Sequence, residues 1–443
     1  MHSQRRALLK TLGLGALALT PMRELIAQTT VPRSTWIPTS LRPFPVPAIA
    51  GLSGRVVIVG GGMAGATLAK YLRLWGGTGV QVTLIDRAPF YTSNIMSNLV
   101  LNGTLSMSSL YFGYDLLAKH YGVKFLQAEV AAVDPAGRKV ILSSGTQLDY
   151  DRLVVAPGIE FDTIPGLESP NAQAIVPHAW KAGPQTQTLR DQIRAMRRGG
   201  VFVMSIPLAP YRCPPGPYER ACLVADYLKR NNRGAKVIVL DENPYIIAEP
   251  VSFGNAFKTT YSGIVDYRPN TRILSVDAQT KSVSTNNGPV KGDVLNLIPA
   301  QRAGAIAAKA GLANAGGGRW AGVDVASYES TVIPRIHVIG DACSSGQPKA
   351  GHIANQEAKT CADAILRALA GGLPDTNLVT NSACYSPITA TTASWLTALF
   401  ALDTTSRTMK VVPGASGEAD APSTDNFEEM YKWFSNLMSD SFA

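Results

Sequence analysis

The run Val56-Val57-Ile58-Val59-Gly60-Gly61-Gly62-Met63-Ala64-Gly65 constrains this chain more than any other stretch. Four consecutive apolar residues, all of them β-branched, predict a strand buried on both faces over 55–59, and the pattern from 64 to 75 predicts an amphipathic helix. Between them, Gly60, Gly62 and Gly65 satisfy G-x-G-x-x-G. Gly60 permits the tight turn, Gly62 lets the backbone approach a pyrophosphate, and Gly65 lets the helix sit close to the strand. The open amides of the helix N-terminus then face the anion. A second strand, 80–85, ends at Asp86, about 20 residues past the last glycine, where a carboxylate can accept from ribose hydroxyls. A third strand is expected over 123–130, with Val130 at its end counted among the cofactor-binding residues. The combination predicts a dinucleotide-binding α/β unit.

Two later segments return to the same unit. Val154-Val155-Ala156-Pro157-Gly158 is a strand entering a glycine turn, which adds Ala156 and Gly158 to the binding set. Ile336-His337-Val338-Ile339-Gly340-Asp341-Ala342 is similar to the G-D-A element that two-domain flavoproteins place on the ribityl-phosphate part of FAD. Gly340 allows close approach and Asp341 can accept from ribityl hydroxyls; a helix N-cap is the structural reading of the same aspartate. A second α/β unit begins at Gly200, with strands at 201–206 and 236–240 around a helix at 219–231. Its first turn reads Pro207-Leu208-Ala209-Pro210-Tyr211-Arg212-Cys213-Pro214-Pro215-Gly216-Pro217, with prolines where a second phosphate loop needs glycines. NAD(P)H is therefore expected to bind poorly there.

At 443 residues the chain is too long for one core. The expected organisation is a leader at 1–27, a proline-rich connector at 28–53, a FAD-binding domain from 54–165 and 287–370, a degenerate second Rossmann-like domain at 166–286, and a C-terminal domain at 371–443. Arg5-Arg6 followed by apolar residues and Lys10 has the form of a twin-arginine signal, so a periplasmic location is expected. The apolar stretch in the leader is shorter than the roughly 20 residues a bilayer span requires, and no transmembrane segment is expected after its removal. Net charge is +9, or +6 without the leader, with no basic cluster of the kind that tracks nucleic acid. Five cysteines occur: Cys213, Cys222, Cys343, Cys361 and Cys384. None forms a C-x-x-C-H haem attachment or a C-x-x-C zinc pair, and no metal site is expected.

Taken together these motifs resemble the flavoprotein subunit of flavocytochrome c sulfide dehydrogenase, a relative of the sulfide:quinone reductases within the disulfide-reductase flavoproteins. The most specific stretch is Arg212-Cys213-Pro214-Pro215-Gly216-Pro217-Tyr218-Glu219-Arg220. Ala179 to Gly183, Asn296 to Gly304, Gly340 to Cys343 and Ala383-Cys384-Tyr385-Ser386 support it. The resemblance implies two Rossmann-like domains plus a C-terminal domain, FAD as cofactor, sulfide as substrate and a c-type cytochrome subunit as partner. It pairs Cys213 with Cys384 as a disulfide beside the flavin ring and puts the family's acidic residue on Glu219.

That pair suits sulfide chemistry. Hydrosulfide is a nucleophile that opens a disulfide, giving a persulfide and a thiolate, and a flavin that takes two electrons can release them singly to haem. Glu219 is expected to accept or donate the proton. Alternatives remain open at each residue. Cys213 and Cys384 can form a structural staple, typical of exported proteins, and Glu219 can be a first-turn acid facing the helix dipole. Cys222, Cys361 and Cys343 read as packing thiols. Which of the paired cysteines receives sulfide is not assigned. Members of the family often attach flavin through a cysteine soon after the second strand, but here that stretch is Phe90 to Val100 and no cysteine precedes Cys213. FAD is therefore expected to be non-covalent. Two alternative functions stay in view. One is a sulfide:quinone reductase, for which 393–402 is a weak candidate membrane surface. The other is a non-catalytic accessory flavoprotein.

Overall fold

The computed structural model describes residues 35–38, 41 and 43–443. The leader and the first part of the connector lie outside the described residues. The first sheet is built around Gly54–Val59, which pairs in parallel with Val80–Asp86 on one side and Arg152–Val155 on the other. Lys124–Gln127 forms one end in parallel, and Ile336–Val338 adds in parallel on the other side, followed by antiparallel Glu329–Ser330, Trp320–Asp324 and Ala313–Ala315. Val56 to Val59 are all buried, packed in one core with the helix Met63–Gly76 and with Val140 and Leu142. Val59 lies opposite both Ile85 and Val155. The turns at Gly60, Asp86 and Ala156 therefore meet at one edge of the sheet, with the turn at Gly340 beside them. Connections leave the central strand in opposite directions there, the switch point at which open α/β sheets bind ligands.

The third strand is shorter than the expected 123–130. It ends at Gln127, and Val130–Asp134 starts a separate antiparallel sheet with Lys139–Leu142 and Gln147–Asp149. The apolar run continues across the break because both pieces need buried residues, so composition does not reveal the change of sheet.

The second unit holds a parallel sheet in the order Val265–Arg268, Lys236–Asp241, Val201–Ile206, Val294–Leu297. This corrects the expected boundary at 286/287. Val294–Leu297 pairs with Val201–Ile206, Phe202 opposite Val294 and Ser205 opposite Leu297, so the chain returns to the first unit only afterwards. The physical reason is that an interior parallel strand must be apolar on both faces, and Val-Leu-Asn-Leu is fully buried in that slot. The helix of this unit also starts earlier than 219, spanning Gly216–Asn231, since Pro217 fits a first helical turn.

The tail is a sheet of three antiparallel strands, Val379–Pro387, Ala393–Asp403 and Thr408–Glu418, followed by the helix Thr424–Phe442. The stretch at 393–402 is thus the central strand of this sheet. The closing helix lies against the first unit, where Phe442 stacks on Tyr91 with centroids 5.1 Å apart and Tyr71 donates to Asp440 (2.6 Å). No helix among the described residues is long and apolar enough to cross a membrane.

Two glycines of the first turn separate packing from ligand approach. A Cβ on Gly65 would lie 1.8 Å from the Gly60 carbonyl oxygen, whereas one on Gly62 would meet its nearest protein atom, on Tyr91, only at 4.0 Å. We expect Gly65→Ala to lower unfolding free energy by about 1–3 kcal/mol through overpacking. Gly62→Ala should leave the flavin-free protein within about 0.5 kcal/mol of wild type, as for a substitution away from packed features. Denaturant unfolding of both variants measures the contrast.

Candidate active site

A cavity of about 320 Å³ opens at the switch point. Gly60, Gly62, Asp86, Ala156, Gly158, Gly340 and Asp341 line it, as do Cys213, Glu219 and Cys384. Of the sequence-predicted residues, Gly65 and Val130 do not. Gly65 lies one layer back, against Gly60, and Val130 belongs to the neighbouring antiparallel sheet.

The glycine turn fits a dinucleotide in detail. Gly60 has φ 108°, and a Cβ there would strike the Ala156 carbonyl at 2.2 Å. Gly62 lines the cavity without crowding from the protein, so it is space for a ligand that explains the missing side chain. No side chain caps the helix Met63–Gly76, which leaves its first amides free for an anion. Asp86 accepts from Gly61 N (2.7 Å) and Ala88 N (2.8 Å), bracing the turn from the second strand. Asp341 is half-buried, and loss of water contact raises its carboxyl pKa while Arg212 and Lys349 oppose the shift. FAD fits these residues: Gly60, Gly62 and the helix amides would hold its pyrophosphate, Asp86 its ribose, and Gly340 and Asp341 its ribityl chain.

The second unit is closed to such a ligand. Asp241 ends its second strand, the position of a ribose-binding acid, yet is itself buried and fully engaged. Tyr218 and Tyr267 hydroxyls both donate to its Oδ2 at 2.8 Å, while Asn243 donates to Oδ1 through its backbone (2.9 Å) and side chain (2.8 Å).

The Cys213 loop occupies the space that a phosphate loop would take. Cys213 adopts φ 60°, uncommon for a residue with a side chain. Its amide donates to Lys349 O (2.7 Å), and its carbonyl accepts from Gly216 N (2.9 Å). Gly216 is required next to it, since a Cβ there would come within 2.8 Å of Cys213 Sγ and 3.0 Å of the Trp180 ring. Cys384 arrives from the first strand of the tail sheet, where Ala383 N donates to His352 Nδ1 (2.9 Å). Both cysteines are free thiols in this structure. Burial pushes both thiols up, Cys384 to about 12; Cys384 adds to the effect at Cys213, and Glu249 and Glu219 add to it at Cys384.

Glu219 is buried in the first turn of its helix and accepts from Asn98 Nδ2 (2.8 Å). Burial raises its carboxyl to about 8, with the Asn98 bond working against the shift. It is therefore poised to hold or lose a proton near neutrality, as a general acid or base must. Sequence reasoning did not single out Arg220, which is almost fully buried. Its Nε donates to Asn98 Oδ1 (2.9 Å), Nη1 to His178 O (2.9 Å) and Asn296 Oδ1 (3.0 Å), and Nη2 to Ala179 O (2.7 Å). Its guanidinium carbon lies 4.6 Å from the centroid of the Trp180 ring. The apolar positions around it gave no hint, since the partners come from three distant segments. His352, Tyr385 and Trp433 also line the cavity; Tyr385 and Trp433 rings lie 5.7 Å apart.

Fold and site define a two-dinucleotide-fold flavoprotein of the disulfide-reductase type with a C-terminal domain. Residues 54–193 match the family described as pyridine nucleotide-disulphide oxidoreductase. Residues 186–299 match the family described as sulfide dehydrogenase (flavocytochrome c) flavoprotein chain, central. The mitochondrial sulfide:quinone oxidoreductase of Schizosaccharomyces pombe is 23% identical over 331 residues, covering 66% of this chain and 69% of that protein. Its counterpart in Dictyostelium discoideum is 25% identical over 186 residues, 41% of this chain and 40% of the relative. Several other curated relatives are matched over only about a quarter of their length. The sulfide:quinone oxidoreductase structure from Aquifex aeolicus superposes with a TM-score of 0.72 at 17% identity, covering 88% of this chain and 92% of that one. That likeness speaks for the fold. The chain is similar to the sulfide:quinone oxidoreductases.

The raised Glu219 carboxyl carries a stability consequence. A buried acid whose folded pKa is about 8 binds its proton more tightly folded than unfolded, where it lies near 4.5. Its contribution is neutral below the unfolded value, falls as pH rises between the two values, and is fully unfavourable above the folded one. Glu249 and Glu357, each pushed to about 7 by burial, act in the same sense. We expect urea stability to fall between pH 5 and about 8.5, and Glu219→Gln to flatten part of that fall. An identical slope in the variant would contradict this assignment.

Proposed function

We propose that this protein is a flavin-dependent sulfide dehydrogenase, oxidising sulfide to sulfur or polysulfide and passing the electrons singly to a c-type cytochrome subunit. One observation carries the reading. Two cysteines 171 positions apart in the sequence, Cys213 and Cys384, line the same cavity as the glycine turn and Gly340-Asp341. The match of residues 186–299 to a flavocytochrome c family supports the cytochrome partner. The occupied Asp241 supports a reductant other than a pyridine nucleotide.

In this reading Cys213 and Cys384 form a disulfide. Hydrosulfide attacks one sulfur, an S–S bond forms to the incoming atom, and the other cysteine leaves as thiolate. Glu219 holds or accepts a proton at the cavity wall, and Arg220 fixes the segment that carries it. The bound FAD supplies a two-electron acceptor that discharges in single steps. It is held non-covalently: the stretch that carries an attachment cysteine in relatives has Ser93 here, buried and donating to Ile95 O (3.1 Å). The twin-arginine leader is the ground for placing the protein in the periplasm, exported already folded.

A sulfide:quinone reductase is the second reading, favoured by the curated relatives. Its candidate membrane surface at 393–402 is the central strand of the tail sheet. Turnover with short-chain quinone but not with cytochrome c would favour it. A protein that binds a cytochrome yet never bleaches with sulfide would be an accessory flavoprotein.

The direct test is anaerobic titration of the purified flavoprotein with sulfide, followed by flavin absorbance. Wild type should bleach, and Cys213→Ser and Cys384→Ser should each bleach at least about a hundredfold more slowly, as expected when a nucleophilic step is lost. Bleaching at the wild-type rate in both variants would sink the mechanism.

A further inference from the structure

Glu249 is buried, and the chemistry described so far does not use it. It precedes the short helix Pro250–Asn255 with φ 47°, a conformation uncommon for a residue with a side chain, and its carboxyl does not cap that helix. The carboxyl reaches instead to the tail sheet, where Ser386 Oγ donates to Oε1. Oε2 has no hydrogen bond of good geometry among the described residues; Ser394, held by Ser252 (3.0 Å), lies beside it and favours the charged carboxylate. Three buried serines around an acid with a spare oxygen are hard to explain as packing, because a leucine there would need no partner.

The register of the tail sheet shows what this acid serves. Cys384 lies opposite Leu396, and Leu396 opposite Glu418. Residues directly opposite one another share a sheet face, as do residues two apart on one strand. Cys384, Ser386, Ser394 and Glu418 therefore stand on the same face, with the Glu249 carboxyl docked on Ser386. Cys384 lines the flavin cavity, whereas Glu418 is only half-buried, and its Oε2 also makes no hydrogen bond among the described residues. Glu249 lies between, close enough to be the leading charge acting on Cys384 and to feel Glu418. The other titratable groups around it are Glu219 and Cys222, both on the helix Gly216–Asn231.

Sulfide oxidation must move a proton along some such route. Hydrosulfide gives up two electrons, first to the flavin and then singly to a haem acceptor, and leaves as sulfur. One proton per turnover has to leave the cavity. We propose that Glu249 carries this proton, taking it from the Cys384 side of the cavity and releasing it through Glu418 at the rim of the sheet. The proposal rests on the sulfide reading given above. It assigns a division of labour, with Glu219 serving the Cys213 side and Glu249 the Cys384 side. Burial holds Glu249 at about 7, so near neutrality it can both accept and release a proton.

Glu249→Gln keeps the shape and the Ser386 contact but cannot carry a proton; Glu249→Asp keeps the acid. Two measurements on the full-length holoprotein separate the possibilities. In stopped-flow bleaching by sulfide, wild type should speed up with pH through an inflection near 7. Glu249→Gln should be slower by about tenfold or more and lack that inflection, and Glu249→Asp should recover it. In a Cys213→Ser background reduced with dithiothreitol, the pH midpoint for iodoacetamide alkylation of Cys384 should fall when Glu249→Gln removes the neighbouring negative charge. The relay is overturned if Glu249→Gln bleaches at the wild-type rate with the wild-type pH profile, or if the alkylation midpoint does not move. If wild type itself fails to bleach while the midpoint still shifts, it is the sulfide reading that has failed, and the relay goes with it.

Discussion

The site depends on one buried guanidinium. Removing Arg220 from water is costly unless its donors find partners, and four of its hydrogen bonds are made to Asn98, His178, Ala179 and Asn296. Those partners come from both α/β units and from the segment that joins them. Satisfying the charge therefore draws the units together at one point. Asn98, while accepting from Arg220, donates to Glu219, so the same network that neutralises the cation orients the acid. Trp180 covers the guanidinium face and accepts from the Arg212 side chain through its carbonyl, which fixes the residue before Cys213.

This arrangement explains how a degenerate nucleotide fold comes to carry a cysteine loop in place of a phosphate loop. A phosphate loop needs glycines so that amides can converge on an anion. Replacing them with prolines abolishes that cradle, and the Tyr218 and Tyr267 hydroxyls on Asp241 close the ribose position. The space that remains admits the Cys213 loop, held by Lys349 O and by the absent side chain of Gly216. The tail sheet then brings Cys384 to the same cavity, near Cys213. Loss of one ligand site and gain of the thiol loop are thus the same structural change.

Much of this was legible in the chain, and what was not has a physical cause. Gly60, Gly62, Asp86, Ala156, Gly158, Gly340 and Asp341 line the cavity as their local patterns require, because each acts through backbone conformation at a strand end. Residues 54–59, 63–76 and 201–206 form the elements that their periodicity predicts, within a residue or two. Long-range pairing was the weak point. Nothing local in Val-Leu-Asn-Leu says which sheet it joins, and so the second unit extends past 286. The apolar run at 123–130 hid a change of sheet. The tail showed only a shift in composition, and its three strands depend on pairing across turns. Arg220 and Glu249 were missed because their partners are 40 to more than 130 positions away.

The central claim is that Cys213 and Cys384 are redox partners across the flavin cavity. Peptide mapping of the oxidised, alkylated protein by mass spectrometry without reduction tests it most directly. The account predicts one cross-linked pair joining the peptides of Cys213 and Cys384, with Cys222, Cys343 and Cys361 recovered as alkylated thiols. Recovery of Cys213 and Cys384 unlinked, or bonded to any of the other three, would contradict it.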